Sequence, residues 1–182
     1  MAFHTYDHVN IADWNPALAL YHQAFPKAGR KPDPIIMGMF AKKLSFLHTD
    51  SEGGNLSAMA FSGLIPEANV LLIDYLAVRE DLRGRGIGHQ FVQNIAAWAK
   101  EEKKLSGILL EAEDEPSLEN VGRIRFWEKC GFILTEYVHK YIWVPETYRA
   151  MYLPFGSEFR VNDRGQSLFK YIESYHKKAF KR

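Results

Sequence analysis

The run from Val70 to Val78 is almost continuously apolar, the pattern of a strand covered on both faces. It leads into Arg83-Gly84-Arg85-Gly86-Ile87-Gly88 and then into a helical stripe made by Phe91, Val92, Ile95, Trp98 and Ala99. A strand, a glycine turn and a helix start together dictate chemistry. Glycines let the backbone approach an anion, free N–H groups at the helix start point toward it, and Arg83 and Arg85 add charged donors. Spacing excludes two other phosphate-binding loops. No Gly-Lys-Ser/Thr closes the segment, and His89 stands where a dinucleotide fingerprint starting at Gly84 needs its third glycine. A pyrophosphate ligand fits; ATP and nicotinamide dinucleotides do not.

The flanking segments supply the rest of an α/β chain with a mixed sheet. Phe3 to Val9 reads as a short strand. Asp13 or Asn15 can cap a helix that carries Pro16 in its first turn and runs to Phe25. Ile35 to Phe40 reads as a short helix or turn and Leu44 to His48 as a strand. Glu52-Gly53-Gly54-Asn55 signals a hairpin into Leu56 to Leu64. Downstream, Ile108 to Ala112 reads as a strand, Ser117 caps a helix over Leu118 to Cys130, and Gly131 stops it. Phe132 to Val144 holds one or two strands. Residues 1–145 form the expected main domain. Residues 146–182, with a terminal helix near Gln166 to Ala179, are expected as an extension packed on it, with a homodimer left open.

Composition narrows the function further. The 182 residues carry 23 Lys+Arg against 22 Asp+Glu, and a net charge of +1 argues against nucleic-acid binding by bulk electrostatics. The single cysteine, Cys130, precludes an intramolecular disulfide and a cysteine-only metal site; next to the helix-ending Gly131 it reads as a buried, inert thiol. No metal is expected. No basic start followed by an apolar run and no long apolar span is present, so the expectation is a soluble cytoplasmic protein without membrane partners.

Leu76-Ala77-Val78 followed by Arg83-x-x-Gly86-x-Gly88 resembles the acetyl-coenzyme A signature of the GNAT N-acetyltransferases. A second family element, Asn-x-x-Ala-x-x-Leu-Tyr-x-x-x-Gly-Phe, has an altered counterpart in Asn120 to Phe132. Asn120, Phe126, Gly131 and Phe132 match it, Arg123 replaces a small residue, and Trp127 stands at the family's tyrosine. The resemblance covers about Val70 to Val144. It implies a mixed, mostly antiparallel central sheet flanked by helices and splayed in the middle, with acetyl-coenzyme A as co-substrate. The main chain of Leu76, Ala77 and Val78 would hold the pantetheine arm and the acetyl carbonyl. The N–H groups of Arg83, Gly84, Arg85, Gly86, Ile87, Gly88 and His89 would hold the pyrophosphate. Asn120 would bond the pantetheine, unless it merely serves the first helical turn, and Trp127 would pack along it.

Acetyl transfer to an amine needs a neutral amine, a stabilised carbonyl oxygen and a proton for the departing thiolate. Asp74 interrupts the apolar strand on the face of Leu76 and Val78 and is the leading base candidate; the alternative is a structural carboxylate tied to backbone or to an arginine. Glu111 and Glu113 share a face of the next strand and could act as base or bind a cationic substrate. His139 is a weaker candidate. An indole N–H cannot protonate a thiolate at neutral pH, so Trp127 removes the family's usual acid and leaves Tyr137, Tyr141 or water to replace it. The expected function is acetyl transfer from acetyl-coenzyme A to a primary amine of a small molecule or peptide, by direct attack in a ternary complex. The alternatives are a catalytically weak acyl-coenzyme A-binding module of the same fold and a transferase for a longer acyl group.

Overall fold

Antiparallel ladders organise the first third of the chain in the computed structural model, which describes residues 2–9 and 11–181. Strand β1 (Ala2–Tyr6) pairs with β2 (Phe46–Glu52), and β2 with β3 (Asn55–Ile65), through the expected Gly53-Gly54 turn. β1 stops short of Val9, because Asp7 and His8 turn out of the ladder and pair with each other at 2.8 Å. Helix α1 (Ile11–Ala24) starts earlier than expected. Asp13 and Asn15 therefore lie inside it instead of capping it, and Pro16 falls beyond its first turn. Helix α2 (Asp33–Ala41) follows Pro32 and carries Pro34 at its start, where a missing N–H costs nothing. β4 (Val70–Val78) has the expected bounds, and α3 (Ile87–Glu101) buries the stripe of Phe91, Val92, Ile95, Trp98 and Ala99.

The second half holds β5 (Gly107–Glu113), α4 (Leu118–Lys129), β6 (Ile133–Lys140), β7 (Thr147–Pro154) and α5 (Gln166–Phe180). Ser117 caps α4 as expected, its hydroxyl accepting from Asn120 N–H at 3.0 Å. The strand order is β1-β2-β3-β4-β5-β7-β6. β4 and β5 are parallel over three pairs, Val70 with Gly107 to Leu72 with Leu109, whereas β7 runs antiparallel to β5 along its whole length. The boundary expected at Pro145 is therefore displaced: Thr147 to Pro154 is a sheet strand between β5 and β6. A buried β5 needs a partner on its second edge, and the mixed polar and aromatic pattern of β7 concealed that it supplies one. Only one strand, β6, lies between Phe132 and Val144.

The chain divides into two compact units, one of residues 1–64, 73–95 and 177–182, the other of 65–72 and 96–176. The first has an aromatic core in which Tyr21 meets Phe61 at 5.4 Å and Tyr75 at 4.9 Å, and Trp14 meets Phe40 at 5.1 Å. The second buries Ile108, Leu109, Leu110 and Met151 of its strands and Leu168, Phe169 and Ile172 of α5. Among the described residues, no helix is long and apolar enough to cross a membrane.

Two outcomes are expected. A Cβ on Gly107 would lie 2.6 Å from both Leu153 O and the Phe159 ring, so Gly107→Ala should cost about 1–3 kcal/mol, read by urea denaturation. His48 is fully buried between the hydroxyls of Thr5 and Ser62, and burial pushes its imidazole down to about 3. A folded value below the unfolded ~6.5 means that this contribution is complete above that value and is lost as pH falls toward 3. His48→Gln should flatten that acid limb of the stability–pH curve.

Candidate active site

After β4 the chain makes one tight turn, Glu80–Leu82, with Arg79 bound to Asp81 at 2.6 Å and to the Ser57 carbonyl through its N–H at 3.0 Å. Arg83 Nε then donates back to Val78 O at 3.2 Å. Gly84 and Gly86 have φ of +76° and +79°, and nothing lies within 4 Å of where a Cβ would stand on either. The turn thus takes a backbone that glycine alone adopts cheaply and leaves open space beside it. The first helical bond of α3 runs from Gln90 N–H to Gly86 O at 3.0 Å, so the amides of Ile87, Gly88 and His89 lie at the positive helix end ahead of it, whereas the Arg83 amide, expected to face the ligand, donates to Glu80 O at 3.2 Å. Arg83, Arg85 and His89 are exposed around them. On β4, Ala77 is buried and Leu76 and Val78 are half-buried.

Asp74 is held tightly. Both of its oxygens accept from Lys31 Nζ, at 2.8 and 2.7 Å, and the two side chains are only 5% and 6% exposed. Lys31 is anchored along its length: its carbonyl accepts from Tyr21 Oη, its N–H donates to Tyr75 Oη, both at 3.0 Å, and its ammonium lies 5.2 Å from the Tyr75 ring centre. Burial, and then the Asp74 charge, raise the Tyr75 phenol far above its ordinary value, so it stays protonated. Lys31 was missed by sequence reasoning. The only signal for it was that a charge within an apolar strand must have a partner, and this did not say which. The partner is a lysine, not the arginine anticipated.

In the second unit, Glu111 and Tyr141 come together. Tyr141 Oη donates to Glu111 Oε2 at 2.7 Å, and His176 Nε2 lies 2.9 Å from Glu111 Oε1. Burial first, then the Glu111 charge, drive the Tyr141 phenol well above its usual range. Glu113 does not join this pair; its nearest cation is Arg123 at 3.9 Å. His139 Nε2 sits 3.1 Å from Glu173 Oε1, off the axis of a hydrogen bond, with its ring stacked on Phe169 and its Nδ1 3.3 Å from Tyr137 Oη. His176 and Glu173, both on α5, were not anticipated.

Asn120 serves its own helix start, donating to Glu115 O at 3.0 Å and accepting from Arg123 at 3.3 Å. Trp127 packs edge-on against Phe126 and Phe132, each 5.1 Å away. Cys130 is buried, its thiol pushed up to about 11 by that burial, in keeping with an inert role.

Residues 14–132 match the acetyltransferase (GNAT) family. No curated protein matches the chain in sequence. Among solved structures, a Bacillus anthracis protein provisionally named a streptothricin acetyltransferase, in complex with acetyl coenzyme A, is 22% identical with a TM-score of 0.53. The match covers 62% of this chain and 64% of that one. The Escherichia coli ribosomal-protein-S18-alanine N-acetyltransferase is 15% identical over 89% of this chain and 97% of its own, with a TM-score of 0.61. A Bacillus subtilis acetyltransferase in complex with coenzyme A is 17% identical over 85% and 98%, with a TM-score of 0.63. At these identities the likeness is one of fold.

The Lys31–Asp74 pair gives a test independent of activity. Lys31→Met strands a buried carboxylate and should cost about 3–5 kcal/mol, whereas Lys31→Met with Asp74→Leu should recover most of that loss in chemical denaturation.

Proposed function

Since the chain belongs to the GNAT acetyltransferase family, we propose that it transfers an acetyl group from acetyl-coenzyme A to a primary amine by direct attack in a ternary complex. The observation that carries this reading is the open cradle at Gly84 and Gly86, running into the start of α3. Its amides suit the pyrophosphate, and Arg83 and Arg85 stand beside it to neutralise charge. The main chain of Leu76, Ala77 and Val78, beyond the last β4–β5 pair at Leu72 and Leu109, is assigned to the pantetheine arm and the acetyl carbonyl.

The acceptor arrives as an ammonium ion and has to lose a proton before its lone pair can attack. Asp74 is poorly placed for that task, because Lys31 occupies both of its oxygens; we assign it to holding the Lys31 segment against β4. Glu111 with Tyr141 suits the base role better, a carboxylate whose reach is extended by a buried hydroxyl. Asn120 and Trp127, engaged within and around their own helix, fit a supporting role along the coenzyme. Trp127 also favours a second reading, a coenzyme-binding module without turnover, since no acid replaces the family's tyrosine on α4. Streptothricin and a ribosomal-protein alanine appear in the names of structural neighbours, and both are amine acceptors; the acceptor here is a small molecule or peptide of that broad class.

Release of coenzyme A with a panel of polyamines, aminoglycosides, amino acids and peptide amino termini separates the two readings: turnover with any of them supports the enzyme, and binding without turnover supports the module. Gly86→Val should abolish coenzyme A binding in calorimetry, because it strains the backbone and fills the cradle. Normal binding by the folded variant would remove the coenzyme from this loop.

A further inference from the structure

The α5 helix lends a side chain to the assigned base. Glu111 on β5 accepts one hydrogen bond on each oxygen, from Tyr141 Oη at 2.7 Å and from His176 Nε2 at 2.9 Å. The three groups become more exposed in order: Tyr141 is 8% exposed, the Glu111 side chain 21% and the His176 side chain 24%. Tyr141 lines an open concavity of about 570 Å³ with Lys140, Ile142, Trp143, Val144 and Pro145. Ile142 and Trp143 are 98% and 69% exposed on it. Tyr141, a residue of this concavity, is thus joined through a carboxylate to an imidazole nearer the surface.

We infer that His176 is a positioning residue that fixes Glu111 for proton uptake through Tyr141. The inference rests on the amine-acetylation reading. In the step, the acceptor ammonium gives a proton to Tyr141 Oη, and Tyr141 passes its own hydrogen to Glu111 Oε2. The amine is left neutral and attacks the acetyl carbonyl, so the C–N bond forms as the C–S bond breaks; the second nitrogen proton goes to the departing coenzyme thiolate, and Glu111, now a carboxylic acid, returns its proton to water. A neutral His176 orients Glu111 through its Nε2–H without opposing protonation. The groups around the pair are Tyr141 after β6, His139 on β6, Tyr148 on β7, and Glu173 and Tyr175 on α5. Glu113, Glu146 and Glu115 act on Tyr148, whose phenol burial and these carboxylates raise.

The test is the pH profile of kcat at saturating acetyl-coenzyme A for the full chain and for His176→Gln, His176→Ala and Tyr141→Phe, with thermal unfolding measured beside it. Gln keeps an N–H donor, so kcat should fall by only about threefold at every pH. Ala should lower kcat on the order of 10-fold at every pH, and Tyr141→Phe on the order of 10²-fold. A His176→Gln variant as slow as His176→Ala overturns the inference, because a donor that positions Glu111 predicts rescue by the amide. Nitrogen NMR of the imidazole gives a readout that needs no turnover. His176 should carry its hydrogen on Nε2 above neutral pH and lose that preference in Glu111→Ala; an Nδ1–H tautomer in the wild type rejects the positioning role. If no amine supports coenzyme A release, the functional reading fails on its own, and the tautomer still decides whether His176 holds Glu111.

Discussion

A carboxylate within an apolar strand has to be neutralised, and the Lys31–Asp74 contact is how the first unit meets that demand. The attraction of such a pair roughly offsets what it costs to take both ions out of water, so net stability is not its main yield. Its yield is position. One lysine must reach two oxygens at hydrogen-bond distance, and its own amide and carbonyl are then committed to Tyr75 and Tyr21. The irregular segment before α2 is thereby fastened to β4 at side chain and backbone together. The same tyrosines take part in the aromatic core with Phe25 and Phe61, so polar and apolar packing select one arrangement.

The glycine turn after β4 follows a different logic. No atom lies within 4 Å of where a Cβ would stand on Gly84 or Gly86, and among the described residues the exposed arginine side chains have one link to the chain, from Arg83 to Val78. Interior segments are specified by contacts; this one is specified by backbone conformation and by space kept empty. Glycine takes that backbone without strain, so the conformation costs little to keep. It is also why the turn was legible without any structure: glycine at fixed offsets between an apolar strand and a helix states a backbone requirement directly in the sequence.

Legibility elsewhere divides by distance along the chain. β4, α3, β5 and the Ser117 cap of α4 depend on neighbours within a few residues, and periodicity or cap chemistry revealed them. Tyr141 and Glu111 were named separately as candidates, but nothing in the sequence joined them. Their link spans 30 residues, that of Lys31 to Asp74 spans 43, and that of His176 to Glu111 spans 65. β7 was misread for a related reason. It sits between two strands and its pairing satisfies its backbone, so its side chains need not alternate cleanly, and Tyr148, Arg149 and Tyr152 made it resemble a surface tail.

Placing β7 inside the sheet changes what the last residues of the chain mean. A tail resting on a finished domain could be removed with little consequence. Here the tail completes the second edge of β5, and α5 returns to bring His176 to a carboxylate on that same strand. A carboxylate that accepts a proton has to be kept anionic at rest, oriented by donors, and yet not bound so strongly to a full cation that protonation is prevented. Asp74 with its lysine meets the first two conditions and fails the third. We give Glu111 the proton because a phenol and an imidazole orient it without pairing it to a lysine's full charge. The contrast between these two carboxylates, a buried one locked by an ammonium and a half-buried one held by a phenol and an imidazole, is the physical ground on which we assign one the architecture and the other the proton.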